Sequence, residues 1–249
     1  MATTLLGLPA SHPTVTAQLM LERKGIPFRR IDLLPAAHRV ILRALGYPGI
    51  TVPAMRLDGV RLQGSRTISR ALEAIKPDPP LFPHDPDRRA RAQEAEAWGD
   101  EVLQSVARRL AWAALKRDRS TVDTFLEGGY LPIPTPIAVA TADPLILLSA
   151  RLNRATDEAT QEDLKRLPAL LDRVDSYVDE GVLGGLVPNA AGFQIAPSVR
   201  LLMAHDDLRP AIEGRPAGRF ATDVLPQPPG RLPAVFPAEW LEPLRANST

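Results

Sequence analysis

The chain has 249 residues, with 45% apolar and 24% charged side chains, which suits one large domain or two small ones around a sizeable core. Its 30 basic and 29 acidic residues leave a net charge of +1, so no overall field favours nucleic acid or an anionic membrane as a partner. No apolar run reaches the roughly 18 residues of a membrane span, and MATTLLGLPASHP lacks a basic leader region, so a cytoplasmic protein without a signal peptide is expected.

Residues 3–8 form a short apolar run closed by Pro9 and are predicted as a buried strand. Ser11-His12-Pro13 then opens a helix: Ser11 or His12 caps it, and Pro13 fits the first turn, where its missing N–H costs nothing. That helix ends at Gly25, a predicted left-handed stop. Residues 26–33 carry Phe28, Ile31 and Leu33 and read as a second strand, parallel to the first through a crossover. Residues 35–48 are irregular or a short helix. Pro53, Met55 and Leu57 alternate with polar or small residues, Asp58-Gly59 signals a tight turn, and Val60 and Leu62 lie on the returning strand. Pro53 demotes its strand to an irregular or edge position, or else Val52–Pro53 is a cis peptide that starts the strand from a turn. Ser65 is predicted to cap a helix with Ile68, Leu72 and Ile75 on one face.

Residues 76–86 (KPDPPLFPHDP) hold five prolines in eleven positions and read as a linker. Beyond it the periodicity is helical. Trp98, Val102, Val106, Leu110 and Ala113 define a helix over about 87–118. Leu164, Leu167, Leu171, Val174 and Val178 define another, with Thr160 as its cap and Pro168 as a kink or division. Residues 145–152 and 193–203 are further helices, no strand-rich stretch follows residue 86, and residues 226–237 form an extended proline-rich tail, packed along the surface or mobile. Arg88, Arg89 and Arg91 followed by Glu94, Glu96, Asp100 and Glu101 read as a solvated face of mixed sign.

Cysteine is absent, which excludes disulfides, thiolate-held zinc and a protein-borne thiol nucleophile. Any thiol chemistry here needs a thiol brought in by a ligand. His12, His38, His84 and His205 lie far apart without ligand spacing, so no metal is expected.

Four stretches together resemble the glutathione S-transferase superfamily over nearly the whole chain: LLGLPASHPTVTAQLMLERKGIPF, TVPAMRLDGVRLQGSRTI, LFPHDP and LDRVDSYVDEGVLGGLVPNAAGFQIAPSVRLL. The resemblance implies a thioredoxin-like α+β domain with a mixed four-stranded sheet (residues 1–78), a linker (79–86) and an all-helical domain with a proline-rich tail (87–249). It implies a homodimer that binds glutathione on the first domain and an apolar electrophile in the cleft against the second. It places Val52 and Pro53 at the backbone contact to glutathione and Ser65 at the γ-glutamyl end, with Gly64 where the family usually has an acidic residue; Gln63 and Arg66 are the nearby substitutes. His12-Pro13 stands where many members have Ser-Pro or Cys-Pro, which leaves Ser11, His12 and Thr14 as candidates near the thiol. Asn189 and Gly192 stand where the family has a capping box, with the return bond lost at Gly192.

The physical logic of such a site is that the thiolate is the nucleophile while a free thiol is mostly protonated at neutral pH. A helix N-terminus and a donating hydroxyl both favour the anion. The resemblance leaves three functional expectations open: conjugation of glutathione to an apolar electrophile, glutathione-dependent isomerisation, or a non-catalytic role in ligand binding or protein association. In the helical domain Trp98, Trp112 and residues 130–134 are candidates to line the second pocket, with Trp98 read as core more than pocket.

Overall fold

A computed structural model describes residues 2–35, 37–127, 129–131, 133–185 and 187–246. Strands β1 (Thr3–Gly7), β2 (Arg29–Asp32), β3 (Ala54–Leu57) and β4 (Val60–Gln63) form one mixed sheet in the order β2-β1-β3-β4. β1 and β2 are parallel, joined through helix α1 (His12–Arg23), while β1–β3 and β3–β4 are antiparallel. β2 is shorter than the predicted 26–33 and starts at Arg29. Asp58 and Gly59, both at positive φ, make the two-residue turn between β3 and β4. Gly25, at φ +57, follows α1 as the predicted stop. Helix α2 (His38–Ala44) fills the connection after β2, and α3 (Ser65–Ile75) packs back on α1. This is the thioredoxin-like arrangement the family resemblance implied.

The remainder is helical: α4 (Pro86–Trp98), α5 (Gln104–Arg117), α6 (Thr135–Ala140), α7 (Ala142–Leu152), α8 (Asp157–Asp179), α9 (Ala190–Met203), α10 (Arg209–Ile212), α11 (Pro216–Val224) and α12 (Glu242–Ala246). A π-helical turn, Gly99–Leu103, joins α4 to α5 within the predicted 87–118 stretch. Two expectations change here. α8 starts four residues earlier than expected: Thr156 is its cap, accepting from Ala159 N, and Thr160 is inside the helix with its hydroxyl on the Thr156 carbonyl. Pro168 also lies inside α8 without dividing it. Neighbouring buried residues on the same face, Leu164, Leu167 and Leu171, pack into the helical core and hold the helix across the missing backbone donor.

α9 is buried along its whole length and is the pillar of the second domain. Asn189 caps it by accepting from Ala191 N and Gly192 N, and its amide also donates to the Val182 carbonyl at 2.8 Å, a bond that offsets the one Gly192 cannot return. Ala190 and Phe193 of α9 share a core with Ala17, Met20 and Leu21 of α1, so the two halves meet through a common apolar seam. The linker is tied down by a buried cation: Lys24 Nζ lies 2.6 Å from Glu73 and from the Lys76 carbonyl and 3.2 Å from the Pro77 carbonyl. Glu73 accepts in turn from Leu81 N. The tail is packed, not mobile: Leu232 and Phe236 are buried, Leu232 N donates to the Ala204 carbonyl, and Phe236 stacks on His205. Among the described residues, no helix is long and apolar enough to cross a membrane, and no group of acidic or histidine side chains could hold a metal ion.

Candidate active site

A cavity of about 240 Å³ lies between the two halves, lined by the start of α1, the residues before β3, and helices α5, α6 and α7. Its construction begins at the end of β1. A side chain at Gly7 would put its Cβ 2.3 Å from Thr14 Cγ2, so the absence of one lets the first turn of α1 sit directly on the strand end. Ser11 caps that turn. Its Oγ accepts from Thr14 N at 3.4 Å and from Thr14 Oγ1 at 3.0 Å. With both local bonds accepted, the Ser11 hydroxyl keeps its own proton to donate, and Ser11 lines the cavity. Thr14 itself is fully buried and outside the lining.

His12 also lines the cavity, and is neither solvated nor a cap. Its pKa is pushed down to about 3, chiefly by burial and further by the Arg108 guanidinium, with a hydrogen bond to the Gln104 backbone opposing both. Its imidazole is therefore neutral at physiological pH, and Nε2 has no partner among the described residues.

Val52 borders the same cavity, and the Val52–Pro53 peptide is cis. The Val52 N–H and C=O make no hydrogen bond with any described residue, an open donor and acceptor side by side. The loop that presents them is fixed by Gln63, whose side chain accepts from Gly49 N and donates to the Thr51 carbonyl, each at 2.6 Å. Gln63 is thus a brace that uses both ends of its amide to hold the loop.

Gly64, Ser65 and Arg66 are outside the cavity lining but linked to it: Gly64 N donates to the Pro53 carbonyl at 2.9 Å. Gly64 sits at φ 86, ψ 141, a backbone conformation that L side chains rarely adopt, so the family's acidic residue is not merely absent; this backbone suits glycine. Ser65, predicted to cap α3, is instead its first residue, and the cap position is Gly64. Its hydroxyl is buried without a partner, and the amides of Ser65, Arg66 and Thr67 are open, as at any helix start. Arg66 is taken by an exposed ion pair with Glu101 at 2.6 Å.

The remaining wall comes from the helical domain. Trp112 lines the cavity, whereas Trp98 is buried core, edge-on to Tyr177 at 5.8 Å. Of the 130–134 run, Pro132 lies outside the described residues. Tyr130 straps across to the first domain: Asp32 N donates to its carbonyl and its own N donates to Asp32, both at 3.1 Å, with Arg30 over its ring. Leu131, next along, lines the cavity. Glu96 departs from the expected solvated face: it is fully buried, accepts from Ser69 at 2.7 Å and pairs with Arg70, with burial pushing its pKa up. Sequence reasoning also passed over Lys24, Asp32 and Arg108. A charged residue deep in an apolar pattern is the signal that marks them, and helical periodicity alone assigns such residues to the surface.

Residues 5–80 match the family "Glutathione S-transferase, N-terminal domain". The chain has the glutathione S-transferase fold. Among solved structures, poplar glutathione transferase F1 is similar at 16% identity, with a TM-score of 0.62 over 99% of this chain and 98% of that one. The beta-etherase LigF from Sphingobium sp. strain SYK-6 shares 19% identity and a TM-score of 0.61, covering 90% and 99%. FzlA from C. crescentus shares 18% and 0.55, covering 98% and 99%. At these identities the transferase fold is what is shared. No curated protein sequence matches the chain.

Proposed function

We propose that this chain is a glutathione-dependent transferase that adds the thiolate of bound glutathione to an apolar electrophile. The observation that carries the reading is the convergence, on one interdomain cavity, of a hydroxyl free to donate (Ser11) and an open backbone N–H and C=O pair (Val52). Val52 would hold the cysteinyl backbone of glutathione in the manner of an added strand. Ser11, at the positive end of α1, would then donate to the sulfur and favour its anion. Thr14 serves Ser11 by fixing its oxygen, and the neutral His12 forms the wall beside it. Ser65 and the open amides of α3 would receive the γ-glutamyl carboxylate. Trp112 and Leu131 would border the electrophile.

Gly64 and the commitment of Arg66 to Glu101 favour a second reading, a fold member that binds small molecules without catalysis. Titration of glutathione by calorimetry followed by a conjugation assay with a generic aromatic electrophile separates the two. Heat of binding together with turnover supports the transferase. An absence of heat at millimolar glutathione supports the non-catalytic reading. Binding without conjugation points to isomerisation.

A further inference from the structure

Resting on the reading of the cavity as the second-substrate site, we propose that Arg108 selects acceptors that carry an acidic group at one end of an apolar body. Arg108 lies on α5 with Ala111, Trp112 and Leu115 three, four and seven positions further on, and all four line the cavity. That spacing places them on one face of the helix, a strip with a guanidinium at one end and apolar surface along the rest. Arg108 is half-buried, yet it makes no hydrogen bond and no ion pair with any described residue. Asp100 acts on it only beyond ion-pairing distance, and Arg109 and burial both disfavour its charge.

A guanidinium in a largely apolar cavity is costly, because no described residue makes a hydrogen bond or ion pair to offset the hydration that burial removes. The planar fork of donors matches a carboxylate in bidentate fashion, which would restore what burial removed. Glutathione carries carboxylates too, so the same chemistry has two sources. The strip favours the acceptor: an occupant lying on Trp112 and Leu115 brings its far end to Arg108. Arg39, on α2, is the other cation of the lining and belongs to a different wall.

The test uses 4-phenylbutanoate and its neutral amide, which differ in charge and scarcely in shape. Binding of each is measured by calorimetry to the full-length protein, without glutathione. The wild type should prefer the acid at least tenfold. Arg108→Gln should abolish that preference while leaving amide and glutathione affinities unchanged, and Arg108→Lys should keep part of it. Equal binding of acid and amide by the wild type overturns the proposal, whatever Arg108→Gln does to folding. So does loss of the preference in Arg39→Gln but not in Arg108→Gln, or a loss of glutathione affinity in Arg108→Gln that matches the loss of acid affinity. A failure of the transferase reading appears separately, as no heat with glutathione.

Discussion

Two helices open toward the Val52–Pro53 peptide, and they are built differently. At the start of α1 the protein holds the polar groups in place: Ser11 caps, Thr14 supports Ser11, and His12 is buried as a neutral wall beside the cavity, leaving the Ser11 proton and His12 Nε2 unengaged among the described residues. At the start of α3 the cap is a glycine without a side chain, the Ser65 hydroxyl has no partner, and Arg66 is turned away to Glu101. The difference teaches that the first opening is organised by the protein itself, whereas the second leaves donors open that a ligand must complete. A preorganised donor suits the end of the site where a thiol must ionise. Open amides suit the end that only anchors.

The largest test of that contrast is acid. Unfolded, His12 takes up its proton near 6.5; folded, it does so only near 3. Between those values the unfolded chain binds more protons, so stability falls as pH falls, by about 1.4 kcal/mol per pH unit, or about 3 kcal/mol by pH 4.5. His205, also buried and pushed down to about 3, adds a similar slope from the helical domain. Urea unfolding of wild type and His12→Gln from pH 7 to 4.5 should show a shallower loss in the variant. Equal slopes would mean that the first opening is wetter than its burial indicates.

Next in size is chemistry. Ser11→Ala removes the hydroxyl that Thr14 fixes, and conjugation should slow at least tenfold, about 1.4 kcal/mol of transition-state stabilisation. Initial rates with glutathione and an aromatic electrophile measure it. An unchanged rate would take Ser11 out of the mechanism and remove the functional half of the comparison.

How much of this was legible in the sequence follows the same division. Local signals located the first opening: Ser-x-Pro before a helical period, and Gly25 after it, define α1 by rules confined to a few residues. The Asp58-Gly59 turn and the alternation around it placed β3 and β4 for the same reason. What stayed hidden depends on partners far away in the chain. Glu96 reads as surface because its neighbours are charged, and only the docking of α3, through Ser69 and Arg70, makes it interior. Asp32 is held by a loop nearly a hundred positions on, which no local pattern announces. Thr160 reads as the cap because it precedes the apolar period, whereas the true cap, Thr156, lies one turn earlier, before acidic residues that the period does not mark. At α3, Ser65 reads as a cap by residue type, but Gly64 at positive φ moves the helix start by one residue.

That one-residue shift sets the smallest and most discriminating expectation. Were Ser65 a true cap, Ser65→Ala would cost about 1 kcal/mol of stability. As the first residue inside α3, with a buried hydroxyl that bonds to nothing described, it has no bond to lose, and removing a desolvated polar group relieves a penalty. Thermal unfolding should therefore shift by no more than the equivalent of about 0.5 kcal/mol, in either direction. Glutathione affinity should fall about fivefold, the size of one typical net hydrogen bond of about 1 kcal/mol. A stability loss without an affinity loss would make Ser65 structural and leave the second opening without a ligand role. An affinity loss at constant stability would show that its open donors are kept for a bound anion, the property that separates it from the opening of α1, where Thr14 fixes the Ser11 oxygen.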